Sequence, residues 1–236
     1  MDSDDNTDIV NPDDVYDQYS ENWYKISEEY WKNHEPSVSG MLDGFPEMSA
    51  SDLKTSNEII RNYQKKGDLG DFNAVDCGCG IGRVSKNVLS KYFKEIDLVD
   101  PINEFLLVAK QSLDGVCPAT TYNIGLQSWT PEKTYDLFWI QWALLYLTDK
   151  DALALLSRIK SHMSNKGLII IKDNVAHRNK RASKSQAQFR VTDNSVNRVY
   201  KHYIDLFKEA GLTLIDSFEQ KQWDSNLLPL YTFVLK

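Results

Sequence analysis

Val15, Tyr16, Tyr19, Trp23, Ile26 and Tyr30 recur in steps of three and four residues, which predicts an amphipathic helix from Pro12 to about Asn33. Pro36 to Pro46, with Gly40 and Gly44, reads as a loop that carries Met41, Leu42 and Phe45 in exposed positions. Ser49 to Lys66 predicts a second helix, stopped by Gly67. Short apolar runs then alternate with helical periods. Strands are expected at Phe72–Asp76, Ile96–Asp100, Thr120–Ile124, Tyr135–Gln141 and Leu168–Lys172. Helices are expected at Val84–Phe93, Asn103–Leu113, Lys150–Met163 and Ser195–Ala210. This alternation argues for βαβ units and a parallel sheet covered on both faces. Leu212–Phe218 and Leu228–Leu235, joined by a polar connection, suit an antiparallel pair at the sheet edge.

Composition narrows the class. The chain has 236 residues, 42% of them hydrophobic, enough for one globular domain with a short extension. No run approaches the roughly 18 apolar residues of a membrane helix, and the acidic N-terminus has no signal-peptide pattern. Cys77, Cys79 and Cys117 form neither a disulfide framework nor a zinc motif, so no metal and a reducing compartment are expected. Of the net charge of −7, residues 1–30 carry −9, so the remainder is nearly neutral. The acidic segment reads as a solvating tail or as an attractor of a basic partner, and non-specific nucleic-acid binding is disfavoured.

The most informative stretch is Asn73-Ala-Val-Asp-Cys-Gly-Cys-Gly-Ile-Gly-Arg83. A strand ends at Asp76, and Gly78, Gly80 and Gly82 form a turn into a helix, where open α/β sheets bind ligands. The spacing differs from the G-x-G-x-x-G of dinucleotide sites, and no P-loop occurs. Asp100, at the end of the next strand, suits ribose hydroxyls, and Arg83 suits a carboxylate. A ligand with a ribose and an α-carboxylate but no phosphate is S-adenosylmethionine. The expected fold is therefore an α/β, Rossmann-like methyltransferase sheet of seven strands, mostly parallel with a C-terminal antiparallel hairpin. Residues 1–11 are expected as an acidic tail, 12–70 as N-terminal helices with a substrate-covering loop, and 71–236 as the methyltransferase domain.

Several further motifs resemble the eukaryotic protein α-N-terminal methyltransferases, which modify Xaa-Pro-Lys or Xaa-Pro-Arg N-termini. They are Tyr30-Trp31-Lys32, Gly40-Met41-Leu42, Gly125-Leu126-Gln127, Trp139-Ile-Gln-Trp142, Ile171-Lys-Asp-Asn174, Asp193-Asn-Ser195 and Leu230-Tyr-Thr-Phe233. Together with the glycine turn they span about residues 23–236, and the likeness suggests a fungal member. Residues 1–20 lie outside it, and Arg178–Phe189 looks like an insertion.

The resemblance implies that Gly78, Arg83, Asp100, Leu126, Gln127 and Gln141 hold the cofactor. It implies a peptide site built from Trp31, Leu42, Trp142, Asp173, Asn174, Ser195 and Tyr231. In it the tryptophans flank the second-position proline, Asp173 meets a basic third residue, and Asn174 clamps the peptide and joins Asp193 and Tyr146 as a catalytic residue. Asp193 is the expected proton acceptor, unless it only caps the helix predicted from Ser195. Vertebrate members carry a histidine where this chain has Tyr146, whose hydroxyl can orient a water or the amine. His34, His162, His177 and His202 fall in no site motif and read as surface or core residues. The cluster Arg178, Lys180, Arg181 and Lys184 reads as a solvated loop or a contact with an RNA-rich partner. Expected substrates are basic, ribosomal-type protein N-termini, met by a monomer in the cytoplasm or the nucleus. A small-molecule methyltransferase and a catalytically silent scaffold on the same fold are the competing readings.

Overall fold

The computed structural model describes residues 7–221 and 223–236. Its strands are β1 (Thr7–Val10), β2 (Asn73–Cys77), β3 (Glu95–Asp100), β4 (Ala119–Asn123), β5 (Tyr135–Gln141), β6 (Met163–Asn174), β7 (Ala187–Arg190), β8 (Ser195–Asn197), β9 (Leu214–Glu219) and β10 (Leu230–Leu235). Its helices are α1 (Pro12–Gln18), α2 (Trp23–Lys32), α3 (Val38–Met41), α4 (Met48–Lys66), α5 (Arg83–Asn87), α6 (Asn103–Leu113), α7 (Asp149–Lys160) and α8 (Tyr200–Glu209).

Seven strands form one sheet in the order β4-β3-β2-β5-β6-β10-β9. The first five run parallel, and β10 pairs antiparallel with both β6 and β9. Chain order reverses between β2 and β5, and such a switch point opens a crevice at the strands' carboxyl ends. Period-two alternation sends successive side chains to opposite faces. Leu137, Trp139, Leu168 and Ile170 pack with Ile59, Ile60 and Tyr63 of α4 and Leu106 of α6. Phe138, Ile140, Ile169 and Ile171 pack with Leu155 and Leu156 of α7 and Tyr203 and Phe207 of α8.

Four local expectations are corrected. The Pro12–Asn33 helix is two helices separated by a 3₁₀ turn at Ser20–Asn22. The break lets Tyr16 meet Trp23 edge-on, with ring centroids 5.0 Å apart. Within the expected Pro36–Pro46 loop, Val38–Met41 is a short helix and Leu42 is buried. Residues 7–10 of the expected tail form β1, whose register sets Thr7 against Arg190 and Val10 against Ala187. The helix expected from Ser195 starts only at Tyr200, because Ser195–Asn197 is β8, paired antiparallel with β7.

The turn between those two strands explains the last difference. Asn194 sits at φ +52°, and Asp193 Oδ1 accepts hydrogen bonds from the Ser195 amide at 3.0 Å and its hydroxyl at 2.7 Å. An aspartate bonding two residues onward stabilises a turn as readily as a helix start. The resulting sheet, β1-β7-β8, packs Ala187, Phe189 and Val196 against Val15 and Trp23. The stretch read as an insertion thus supplies most of β7.

Candidate active site

The first cavity lies at the switch point. The glycine turn after β2 forms its floor, with Gly78 at φ +77° and Gly80 at φ +52°. A Cβ on Gly78 would stand 2.6 Å from that of Ala143, so backbone sign and space both require glycine there. Asp100 closes the end of β3, its Oδ2 accepting from the Gly80 amide and its Oδ1 from the Ile102 amide, both at 2.9 Å. Burial raises the Asp100 pKa to about 6 despite those two amides. Asp76, buried below the turn with Ser85 donating to it at 2.5 Å, is likewise raised to about 6. Ile102, Phe105 and Leu126 supply an apolar wall beside Gln127.

Arg83 and Gln141 also border this cavity, and both are held by a residue that sequence reading missed. Asp52 of α4 accepts from Arg83 Nη2 at 2.6 Å and from Gln141 Nε2 at 3.0 Å, and it also pairs with Lys172 Nζ. Asp52 and Lys172 are fully buried. Burial alone would raise the Asp52 pKa, but Lys172 and Arg83 hold it below the ordinary carboxylate range. Arg83 is therefore a fixed wall of the cavity, with its guanidinium 5.6 Å from the ring centroid of Trp142.

A second cavity adjoins the first. Leu42, Asn174, Arg190, Asp193 and Ser195 line it, with Trp223 across from Trp142 at a centroid distance of 6.3 Å. Trp31, Met41, Trp142 and Tyr146 border both cavities and form the wall between them. Trp142 follows β5 with φ +50°, a conformation that costs a non-glycine residue about 1–3 kcal/mol and is stored at functional sites. Its indole Nε1 donates to Asn174 Oδ1 at 3.3 Å. Beyond this wall, Tyr146 Oη donates to Asp193 Oδ2 at 3.2 Å. Burial, and then the Asp193 carboxylate, push the Tyr146 phenol well above its ordinary pKa, so it stays neutral and cannot serve as a base.

The expected residues thus separate. Gly78, Arg83, Asp100, Leu126, Gln127 and Gln141 gather at the first cavity, and Trp31, Leu42, Trp142, Tyr146, Asn174, Asp193 and Ser195 at the second. Asp173 and Tyr231, expected in the peptide site, border neither cavity. Asp173 follows Ile169 and Ile171 to the α8 face, where Tyr203 donates to it at 3.3 Å and burial raises its pKa to about 7. Tyr231 stacks near Tyr200 and Phe233, with its hydroxyl 3.4 Å from Glu219. Nor is Asp193 a helix cap, since Val199 precedes α8.

A family described as AdoMet-dependent proline di-methyltransferases matches residues 19–236. The chain is 36% identical over 219 residues to alpha N-terminal protein methyltransferase 1 of Schizosaccharomyces pombe, covering 91% of this chain and 96% of the relative. It is 33% identical to N-terminal Xaa-Pro-Lys N-methyltransferase 1 of Homo sapiens, covering 91% and 95%. Among solved structures, a SAM-dependent methyltransferase from Leishmania major superposes with a TM-score of 0.86 at 29% identity, covering 95% of this chain and 91% of that one.

Proposed function

We propose that this chain, which belongs to the family of AdoMet-dependent proline di-methyltransferases, methylates the α-amino group of proteins that begin Xaa-Pro-Lys or Xaa-Pro-Arg. The observation that carries the reading is the pair of adjoining cavities that share Trp31, Met41, Trp142 and Tyr146. One suits a nucleoside with an apolar adenine wall, and the other suits a peptide. S-adenosylmethionine supplies an electrophilic methyl group when bound. In the first cavity Asp100 accepts from ribose hydroxyls, the glycine turn lets the backbone come close, and Gln127 bonds polar edges of the base.

On the peptide side, Trp31 and Trp142 hold a proline ring between aromatic surfaces. Asn174, fixed by the Trp142 indole, clamps the peptide backbone. Displacement at a methyl group is in line, so alignment of the amine supplies most of the help. Only the neutral amine attacks, and an α-amine with a pKa near 8 loses its proton for about 1 kcal/mol at neutral pH. Asp193 takes that proton, directly or through a water, while the Tyr146 hydroxyl orients the acceptor.

Basic proteins such as ribosomal proteins suit the acidic N-terminal segment, and the reading takes the enzyme as a monomer working in the cytoplasm or nucleus. The test is incubation with labelled S-adenosylmethionine and a synthetic Xaa-Pro-Lys peptide beside an N-acetylated copy. Label on the free-amine peptide alone is expected. Equal labelling of both, or of neither, overturns the reading.

A further inference from the structure

Three charged side chains line the peptide groove among the described residues: Asp43, Arg190 and Asp193. Arg190 ties the other two together. Its Nη1 donates to Asp43 Oδ2 at 2.8 Å, and its Nη2 donates to Asp193 Oδ2 at 2.6 Å and to the Tyr30 hydroxyl at 2.9 Å. The guanidinium also lies 5.1 Å from the Tyr30 ring centroid. Burial opposes its charge, but Asp193 and Asp43 keep it protonated beyond the ordinary arginine range. These three described side chains therefore sum to −1, where the two carboxylates alone would sum to −2.

This cluster stands where a substrate's third residue must pass. Tyr146 borders both cavities and its hydroxyl touches Asp193, which touches Arg190. An extended chain advances about 3.3 Å per residue, so an amine at the shared wall, within reach of Asp193, sets its third residue roughly 7 Å further along the groove that Arg190 and Asp43 line. Asp173, the carboxylate expected to receive a basic third residue, faces α8 instead.

The geometry points to Arg190 as a specificity-determining residue that acts as a built-in counter-ion. It occupies Asp43, the groove carboxylate left to a substrate lysine when Asp193 serves the amine, so the groove tolerates a basic third residue without demanding one. Xaa-Pro N-termini with a neutral third residue are then substrates as well. The inference rests on the proposed function. A lysine must compete with a guanidinium already bonded on both sides, and only the residual negative charge attracts it.

The experiment compares kcat/KM for Xaa-Pro-Lys and Xaa-Pro-Gln peptides with wild type, Arg190→Gln and Arg190→Lys. Wild type should prefer lysine by less than about tenfold, and Arg190→Gln should widen that preference by about tenfold as Asp43 is freed, while Arg190→Lys keeps the wild-type ratio. A ratio that Arg190→Gln leaves unchanged or lowers overturns the inference. Should Arg190→Gln fail to fold, wild type alone decides, because a lysine preference above about tenfold overturns it. Turnover confined to lysine peptides sinks this inference and leaves the proposed function standing. No turnover of any free-amine peptide overturns both.

Discussion

Asp52 Oδ2 lies 2.6 Å from Arg83 Nη2, joining a helix outside the parallel sheet to the first turn of the helix that follows the glycine loop. The same carboxylate holds Gln141 and Lys172, so one buried group positions two walls of the nucleoside cavity. Asp52→Asn leaves two buried cations without their counter-ion and should cost about 3–5 kcal/mol of stability. Affinity for S-adenosylhomocysteine should fall with it. Denaturant unfolding and calorimetry of the variant check both, and unchanged values would reduce the contact to decoration.

Asp193→Asn keeps the oxygen that accepts from Ser195 but loses the capacity to take a proton. Turnover should fall by about 10²–10⁴-fold with little change in cofactor affinity. Part of the loss should return at higher pH, where the substrate amine is already neutral. The pH–rate profile under saturating cofactor is decisive, and a profile like that of wild type would leave alignment as the whole of the catalysis. Tyr146→Phe should cost less, because its neutral phenol only orients.

The ribose-binding role proposed for Asp100 requires a carboxylate, and its pKa is raised to about 6. Affinity for S-adenosylhomocysteine should therefore hold above that pH and weaken as pH falls through it, approaching a tenfold loss per unit at most. Asp100→Asn should bind more weakly at neutral pH and show a flatter dependence. Titration calorimetry from pH 5 to pH 8 distinguishes Asp100 from the neighbouring Asp76, whose influence the variant retains.

Asp173 has a folded pKa of about 7, above the ordinary carboxylate value. A raised folded pKa contributes stability that is full below the unfolded value and is lost as pH rises through the folded one. Wild type should thus lose ground against Asp173→Asn between about pH 4 and pH 7, by a difference on the order of 1–4 kcal/mol. Unfolding of both proteins across that window measures it. KM for Xaa-Pro-Lys peptides should stay the same, and a large rise would return Asp173 to the peptide site.

Removing residues 1–11 deletes β1 and takes Thr7 from the wall of the peptide groove. The β7–β8 hairpin loses an edge partner, so KM for peptide should rise while cofactor binding stays near wild type. Steady-state kinetics beside calorimetry check this. An unaffected KM would mean that the hairpin keeps its shape alone.

Four of the five parallel strands were legible because each carries a short apolar run buried on both faces, and the half-exposed edge strand β4 was legible by its β-branched and aromatic Thr120, Thr121 and Tyr122. Their positions agree to within a few residues except for the earlier start of β6. The small sheet was not legible. Its strands are three or four residues long, and β1 pairs with a partner about 180 positions away, which no local period announces. Asp173 and Asn174 were read as one site, but neighbours on a strand point to opposite faces, and only Asn174 borders the groove. Asp52 hid in the polar run Ser49-Ala-Ser-Asp-Leu-Lys-Thr-Ser56. A signal existed, since positions 52, 56, 59, 60 and 63 share one helical face and all are buried. Arg190 went unweighed because it borders the stretch that looked inserted.

The pairing of β1 with β7 also orders events during synthesis. Thr7 leaves the ribosome early, but its partner Arg190 follows more than 180 residues later. By then β2, β3, β4, β5 and β6 have emerged and can assemble the nucleoside cavity from strands close in sequence. Closing so long a loop brings an entropic penalty and slows formation of the contact. The wall that β1 and β7 give the peptide groove is accordingly completed after the nucleoside cavity. Amide exchange should reach the β1–β7 ladder well before the β2–β5 ladder.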